Sequence, residues 1–192
     1  MKLNIMIVGV GGQGTLLTSR LLGEAFMSQG LAVKMSEVHG MAQRGGSVVS
    51  TVRCGDSIAS PVIEQGEADL ILAFEQLEAA RWLSWLKPGG RLLVNRQQLN
   101  PIPVITGAAK YPDGIIDRLL ADVPGTVAVD ALVLAEQCGS AKAVNVVLVG
   151  AMVALMNLPK DVFETALEKT VPTRFLELNR KAFLLGMASI HE

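Results

Sequence analysis

The stretch Met6-Ile7-Val8-Gly9-Val10-Gly11-Gly12-Gln13-Gly14 decides the fold class of this chain. The residues from Lys2 to Val8 are mostly aliphatic, as expected of a buried parallel strand. After the glycines, apolar positions recur at helical spacing as far as Gln29, and residues 32–36 predict a second strand. A strand, a glycine loop, a helix and a further strand are typical of a Rossmann-like α/β fold.

The glycine loop matches the pattern G-x-G-x-x-G between residues 9 and 14. In such loops the first glycine makes a tight turn, the second lets the backbone approach a pyrophosphate, and the third allows close helix packing. The helix N-terminus also presents free N–H groups and a positive dipole end to an anion. The alternative is that these glycines only tighten the turn. The predicted cofactor contacts of this loop are Gly9, Gly11, Gly12, Gln13 and Gly14.

A nicotinamide dinucleotide requires an acidic residue for its ribose about 20 residues beyond the last glycine. That position holds Lys34, and Glu37 follows three residues later. Glu37 can bind a ribose and Lys34 can pair with a phosphate, but neither matches the fingerprint. This mismatch weakens the prediction of a nicotinamide-dependent reductase without removing it.

A second glycine-rich segment, His39-Gly40-Met41-Ala42-Gln43-Arg44-Gly45-Gly46, follows the second predicted strand. The carboxyl ends of strands are where α/β sheets bind ligands. Arg44 offers a planar fork to a carboxylate or phosphate, and His39 can exchange protons near neutral pH, so both are candidate catalytic residues. The alternative is a packed turn whose side chains satisfy neighbouring carbonyl groups. The predicted cofactor contacts of this segment are Glu37, Gln43, Arg44, Gly45 and Gly46.

The rest of the chain predicts a single domain over residues 1–192, with a mostly parallel sheet, flanking helices and a helical C-terminal portion. Pro88-Gly89-Gly90 predicts a turn. Further strands are predicted over residues 47–53, 68–74, 91–95, 104–106 and 126–129. Further helices are predicted over residues 75–85, 115–121, 131–138, 144–156, 160–169 and 173–187.

The longest uncharged run extends from Ala143 to Pro159 and contains Asn145. A membrane span requires about 20 apolar residues, so this shorter run predicts a buried helix instead. Asn145 is a further candidate cofactor contact, because a polar side chain in such a helix can point into a ligand site. A buried asparagine that is satisfied by a loop carbonyl is the alternative.

The composition of the chain excludes some classes of function and favours others. The net charge of -1 provides no basic surface for nucleic acid. Half of the residues are hydrophobic and the mean hydropathy is +0.40, which indicates an extended subunit interface besides the core. A strand pattern begins at the first residues, which predicts that the chain has no secretory leader. The spacing of Cys54 and Cys138 is not that of metal ligands. Together these features favour a cytoplasmic protein with free thiols and no metal site. Two cysteines are also too few for the four thiolates of an iron–sulfur cluster.

The two glycine segments, taken with Val52-Arg53, Ser60-Pro61 and Asn145, resemble the gamma-type domain of 2-oxoacid:ferredoxin oxidoreductases, the pyruvate/ketoisovalerate oxidoreductase family. The resemblance covers nearly the whole chain, and residues 39–46 are its specific part. Within the family the chain is similar above all to the beta subunit of indolepyruvate:ferredoxin oxidoreductases. Aryl, branched-chain and pyruvate-type enzymes share these motifs, so the motifs leave the 2-oxoacid open.

The resemblance implies a coenzyme A-dependent oxidative decarboxylation of a 2-oxoacid, here an indolepyruvate or another arylpyruvate, to an acyl-CoA. It implies that thiamine diphosphate and 4Fe–4S clusters lie on a larger partner subunit, from which electrons pass to ferredoxin. The gamma-type domain is implied to close over the active site and to help receive coenzyme A. This chain would then hold no cofactor alone and be inactive alone.

Two alternatives remain at this point. The chain can be a free-standing nucleotide-binding Rossmann-type protein, including a nicotinamide-dependent reductase, or an orphan binding module of the same family. The purified chain distinguishes them, since an oxidoreductase subunit predicts no activity and little nicotinamide affinity without its partner.

Overall fold

The computed structural model describes residues 2–39 and 45–190. Its centre is a six-stranded sheet in the order β2-β3-β1-β4-β5-β6. β1 pairs in parallel with β4, β4 with β5 and β5 with β6, whereas β3 is antiparallel to both β1 and β2. Among the described strands β3 alone therefore runs against the others, and the predicted mostly parallel α/β sheet is confirmed. The strands are β1 (Lys2–Val10), β2 (Ala32–His39), β3 (Ser47–Gly55), β4 (Ala68–Ala73), β5 (Leu86–Asn95) and β6 (Thr126–Val129).

Helices cover both faces of the sheet. Alternate side chains of β1 point to opposite faces, so Ile5 and Ile7 join one core cluster whereas Met6 and Val8 join the other. All four side chains are at most 1% exposed. The first cluster includes buried residues of α1, α5, α6, α7 and α8, and the second includes those of α2 and α4. The helices are α1 (Thr15–Ser28), α2 (Gln76–Trp82), α3 (Ile102–Ile105), α4 (Ile115–Asp122), α5 (Ala131–Gln137), α6 (Val144–Leu155), α7 (Lys160–Thr170) and α8 (Leu176–Ala188).

The uncharged run forms α6, in which every residue from Val144 to Val153 is buried. Its backbone contacts that of α8 directly. A Cβ atom on Gly150 would lie 2.0 Å from the carbonyl oxygen of Phe183, and one on Gly186 would lie 1.9 Å from that of Val147. The predicted buried helix is confirmed, and within the described ranges no helix is long and apolar enough to cross a membrane.

The position of β3 departs from a simple strand–helix–strand unit. β3 lies between β1 and β2, so that Ser50 faces Ile7 on one side and Glu37 on the other. Neighbouring strands are about 4.8 Å apart, which places Glu37 roughly 10 Å from β1. In the arrangement that binds dinucleotides, the acidic residue would follow a strand adjacent to the glycine loop.

Three local predictions are corrected by the structure. Residues 104–106 were expected to form a strand but belong to the short helix α3 and the residue after it; Pro101 and Pro103 fit there because prolines are tolerated in a first helical turn. Pro88-Gly89-Gly90 was expected to turn the chain but lies within β5, where an irregular register absorbs it: Ala68 pairs with Leu86, and Leu70 with Arg91. The predicted loop after residue 36 begins later, since β2 continues to His39.

Candidate functional site

The two glycine segments contact each other at the carboxyl edge of the sheet. The N–H of Gly11 donates a hydrogen bond of 2.9 Å to the carbonyl oxygen of Gly46. This contact is possible because β3 is antiparallel to β1, so that its first residue, Ser47, pairs with Val10 at the end of β1. Motifs more than thirty residues apart in the chain therefore form one surface.

Gln13 shapes the first glycine loop through its side chain. Its Oε1 accepts from the N–H of Val10 at 2.7 Å, and its Nε2 donates to the carbonyl of Phe74 at 3.1 Å. A Cβ atom on Gly9 would lie 2.9 Å from Oε1 of Gln13 and 3.0 Å from Cβ of Phe74. The amide of Gln13 thus fastens the loop to the end of β4, and Gly9 provides the space for it.

Sequence reasoning missed Asn95 and Gln97, which extend this network. Asn95 is 1% exposed and donates through Nδ2 to the carbonyl of Phe74 at 3.1 Å and to Oε1 of Gln97 at 3.2 Å. Its Oδ1 accepts from the N–H of Ala131 at 3.2 Å, where α5 begins. Gln97 also accepts from Nε2 of Gln13 at 3.3 Å. An asparagine that ends an otherwise aliphatic strand was the signal available in the sequence.

The N-terminus of α1 is open on one side and packed against Asn145 on the other. Gly14 precedes the helix with φ 91°, and no side chain caps its first turn. Asn145 is 6% exposed, and its Nδ2 would lie 2.9 Å from a Cβ atom on Gly14. Its Oδ1 accepts from the N–H of Val146.

A cavity of about 440 Å³ adjoins this helix terminus, and we call it the glycine-loop cavity. Its wall combines backbone of the loop with Asn145 and with the exposed Lys142. Helix N-termini attract anions because their first N–H groups lack partners within the helix, and a lysine strengthens that field. Its polar side chains are those of Gln13, Gln97, Lys142 and Asn145, and Gly12 and Gly14 contribute backbone to its wall.

A larger cavity of about 580 Å³ lies where Gly11 and Gly45-Gly46 meet α2. Its charged side chains contact other groups of the chain. Glu75, 1% exposed, caps α2 by accepting from the N–H groups of Leu77 at 2.7 Å and Glu78 at 3.0 Å. Glu78 in turn forms an ion pair of 3.2 Å with Arg81. This cavity therefore offers a mostly apolar surface, and its two carboxylates are hydrogen-bonded or ion-paired within the chain.

Tyr111 and Ser47 complete these carboxylate contacts. The hydroxyl of Tyr111 donates to Oε1 of Glu75, and the hydroxyl of Ser47 donates to Oε2 of Glu78. Burial, followed by the hydrogen bond to Glu75, raises the pKa of Tyr111 well above its ordinary value. Tyr111 consequently stays protonated and holds the carboxylate in place.

The remaining predicted site residues do not all come together. Glu37 accepts from the buried hydroxyl of Ser50 at 2.9 Å and is separated from the glycine loop by β3. His39 ends β2, but its side chain lies outside the described part, as do Gln43 and Arg44 entirely. Within residues 2–39 and 45–190 no three His, Cys, Asp or Glu side chains cluster as metal ligands would.

Comparison with known proteins gives the family. Residues 4–189 match the model of the pyruvate ferredoxin/flavodoxin oxidoreductase family. The chain belongs to this family. It is 42% identical to the indolepyruvate oxidoreductase subunit IorB of Archaeoglobus fulgidus over 190 residues, which cover 97% of this chain and 94% of that subunit. The prediction of a 2-oxoacid:ferredoxin oxidoreductase subunit is confirmed.

Solved structures show the same fold in two settings. The gamma subunit of a keto/oxoacid ferredoxin oxidoreductase from Geobacter sulfurreducens superimposes with a TM-score of 0.74 at 31% identity, covering 98% of each chain. The 2-oxoglutarate:ferredoxin oxidoreductase of Magnetococcus marinus gives a TM-score of 0.73 at 21% identity, covering 99% of this chain but 31% of that one. The fold therefore occurs both as a separate subunit and as a part of a longer chain.

Proposed function

We propose that this chain is the gamma-type subunit of an indolepyruvate:ferredoxin oxidoreductase. With its partner it catalyses the coenzyme A-dependent oxidative decarboxylation of indolepyruvate, or a related arylpyruvate, to the acyl-CoA. The observation that carries this proposal is the 42% identity to the Archaeoglobus indolepyruvate oxidoreductase subunit over nearly the full length of both chains. All 192 residues act as one gamma-type domain in the cytoplasm.

The cofactors belong to the partner in this proposal. A larger subunit holds thiamine diphosphate and the 4Fe–4S clusters and passes electrons to ferredoxin. In the Magnetococcus enzyme the same fold makes up 31% of a longer chain, so this fold can be joined to further domains. Here the corresponding contact is made between separate subunits.

This chain contributes an anion site for coenzyme A. The diphosphate lies in the glycine-loop cavity, where Gly12 and Gly14 leave the N-terminus of α1 uncapped and Lys142 adds a positive charge. Gly9 and Gln13 act by shaping the loop. From the second glycine segment, Arg44 directs its guanidinium to a phosphate of coenzyme A or to a carboxylate of the partner. Further proposed contacts are Gly11, Glu37, His39, Gln43, Gly45, Gly46 and Asn145.

Reconstitution tests the proposal. The companion polypeptide that co-purifies with this chain from its native source is identified and both are produced together. We expect the complex to reduce viologen dye or ferredoxin with indolepyruvate, only when coenzyme A is present, and more efficiently than with pyruvate or 2-oxoisovalerate. Each subunit alone serves as the control. Full turnover by this chain alone, or a complex indifferent to coenzyme A, would contradict the proposal.

A further inference from the structure

The segment between β5 and α4 forms an exposed arm whose two ends meet at one carboxylate. The N–H of Leu99 donates to Oε1 of Glu75 at 3.2 Å, and the hydroxyl of Tyr111 donates to the same oxygen. None of residues 99–111 is buried, although Glu75 itself is 1% exposed. We call residues 99–111 the α3 arm, since α3 lies at its centre. The arm is therefore a surface loop with a fixed base.

Hydrogen bonds within the α3 arm hold its shape. The N–H of Ile105 donates to the carbonyl oxygen of Pro101 at 3.1 Å, and the N–H of Ala109 donates to that of Pro103 at 3.0 Å. The two prolines also have fixed φ angles, which reduces the freedom of the segment. A loop that is ordered before it binds loses less conformational entropy on binding, so this arm is suited to a firm contact.

The outer surface of the α3 arm is apolar. Ile102 and Ile105 are 58% and 70% exposed. Because residues three apart are neighbours on a helix, both isoleucines face the same way. Lys110 is the only charged residue among residues 99–111. Single exposed apolar side chains are ordinary on a protein surface, whereas a contiguous uncharged patch marks an interaction surface.

This apolar patch continues to the carboxyl edge of the sheet. Ile102 also lines the larger cavity, whose wall includes Leu77 and Leu99. Two residues before the arm, Gln97 lines the glycine-loop cavity. The arm therefore lies beside both cavities, and a partner that covers the arm also faces them.

We propose that the α3 arm is a docking surface for the larger subunit, which covers Ile102 and Ile105 with an apolar, uncharged surface of its own. The relatives of this chain are oxidoreductase subunits, so part of its surface contacts another chain. The inference rests on the proposed function, because coenzyme A in the glycine-loop cavity reacts only if the thiamine diphosphate of the larger subunit faces this edge of the sheet. A second copy of this chain brings no thiamine diphosphate and does not meet that requirement.

The test measures the dissociation constant of the reconstituted complex by sedimentation velocity over a dilution series. Ile102→Ser and Ile105→Ser should each weaken assembly by about 5- to 30-fold, because each removes an aliphatic side chain that the larger subunit would bury. Ile105→Asp should weaken it further, since a carboxylate would then be buried without a partner. Ile105→Leu keeps the apolar contact and should retain most of the affinity.

The matched control is Met27→Ser. Met27 is 52% exposed and lies in the last turn of α1, a helix that begins at the carboxyl edge of the sheet and ends at the opposite edge. This variant should assemble as tightly as the wild type. The melting temperature of each free chain shows whether it is folded. If Ile102→Ser melts below the wild type, Ile105→Ser decides the test, because Ile105 is the more exposed of the two.

Three outcomes would overturn the assignment. The first is that complexes with Ile105→Ser and Ile105→Asp dissociate like the wild type. The second is that Met27→Ser weakens assembly as much as they do, which would indicate an effect unrelated to the arm. The third concerns the free chain: if it self-associates, and Ile105→Asp abolishes this without weakening the complex, the arm binds a second copy instead.

Activity separates this inference from the proposed function. At concentrations at which the Ile105→Asp complex is fully assembled, its Michaelis constant for coenzyme A should equal that of the wild type. If the wild-type complex assembles through the arm but does not oxidise indolepyruvate with coenzyme A, the proposed function fails and the docking surface stands. If the complex catalyses that reaction while Ile105→Asp assembles normally, the docking assignment alone fails.

Discussion

At the scale of single residues, Asn145 belongs both to the core and to the candidate site. It lies in α6, whose residues from Val144 to Val153 are otherwise apolar and all buried. Packing alone favours an aliphatic side chain there, because moving an amide group from water into apolar surroundings is unfavourable. Contact with Gly14 and with the proposed ligand explains why an asparagine rather than an aliphatic residue occupies this position.

Gly14→Ala should therefore destabilise the chain more than an ordinary glycine substitution. Gly30→Ala is the matched control, since both glycines have positive φ but a Cβ atom on Gly30 meets nothing within 4 Å. The control should lose about 1–2 kcal/mol of unfolding free energy through its left-handed backbone. Gly14→Ala should lose more, because its Cβ would lie 2.9 Å from Nδ2 of Asn145. Urea denaturation measures both, and equal losses would show that Asn145 does not constrain the loop.

Arg44 is the residue for which the sequence makes the riskiest prediction. If its guanidinium forms a bidentate contact with a phosphate or carboxylate, Arg44→Lys keeps the charge but loses the fork. Loss of a charge-assisted hydrogen bond corresponds to about 1.5–3 kcal/mol, or about ten- to a hundred-fold in affinity. The Michaelis constant for coenzyme A and the dissociation constant of the subunits, measured separately, show which contact is made. A variant Arg44→Ala that lowers only the melting temperature would mark the residue as structural.

Cys54 should make stability depend on alkaline pH. Burial raises the pKa of its thiol from 9.0 to about 11. As the pH rises above 9.0, the thiol of Cys54 loses its proton in the unfolded chain but keeps it in the folded chain. The free energy of unfolding therefore falls. Urea unfolding at about pH 8 and about pH 10.5 should show a steeper loss for the wild type than for Cys54→Ala. Parallel losses in the two proteins would rule out Cys54 as the titrating group.

At the scale of elements, α6 and α8 can cross closely because each has a glycine, without a Cβ atom, at the crossing point. Ala usually stabilises a helix relative to Gly, but Gly150→Ala and Gly186→Ala would place Cβ within 2.0 Å of a backbone carbonyl of the other helix. Overpacking of this kind is expected to destabilise by about 1–3 kcal/mol or more. Gly23→Ala in α1 is the control, because its Cβ would meet only the flexible end of Met35. Thermal unfolding should show large decreases in melting temperature for the first two variants and little change for the third. A control that falls as far as they do would contradict this account.

Local sequence patterns predict the elements of this fold better than their arrangement. The helices α1, α6, α7 and α8 follow from apolar spacing, and β6 matches its predicted residues 126–129. The antiparallel insertion of β3 left no local signal, because strand order is decided by pairing between distant segments. Pro88-Gly89-Gly90 has the composition of a turn. These residues nevertheless belong to β5, because Leu86 before them and Arg91 after them both pair with β4.

At the scale of the whole molecule, the candidate site was only partly predictable. The two glycine segments were recognisable from their composition. The hydrogen bond between Gly11 and Gly46 forms because both segments lie at the same edge of the sheet. Asn95, Gln97 and Lys142 carry no such pattern. They converge because the carboxyl edge of the sheet faces the ends of helices that are distant in sequence, which only the assembled fold reveals.

The C-terminal helices should be indispensable for the whole fold. Phe163 of α7 and Phe183 of α8 are each 1% exposed, and the ring of Phe163 packs edge-on against Phe26 of α1 at 5.8 Å. A chain that ends at Asn157 loses both rings, each worth about 3–5 kcal/mol, and exposes the apolar surface of α6. Since domains are stable by only about 5–15 kcal/mol, we expect it to aggregate or to unfold without a cooperative transition. Circular dichroism during heating measures this, with a chain that ends at Ile190 as the control. A cooperative transition at the wild-type temperature in the shorter chain would show that the sheet and α6 are stable without α7 and α8.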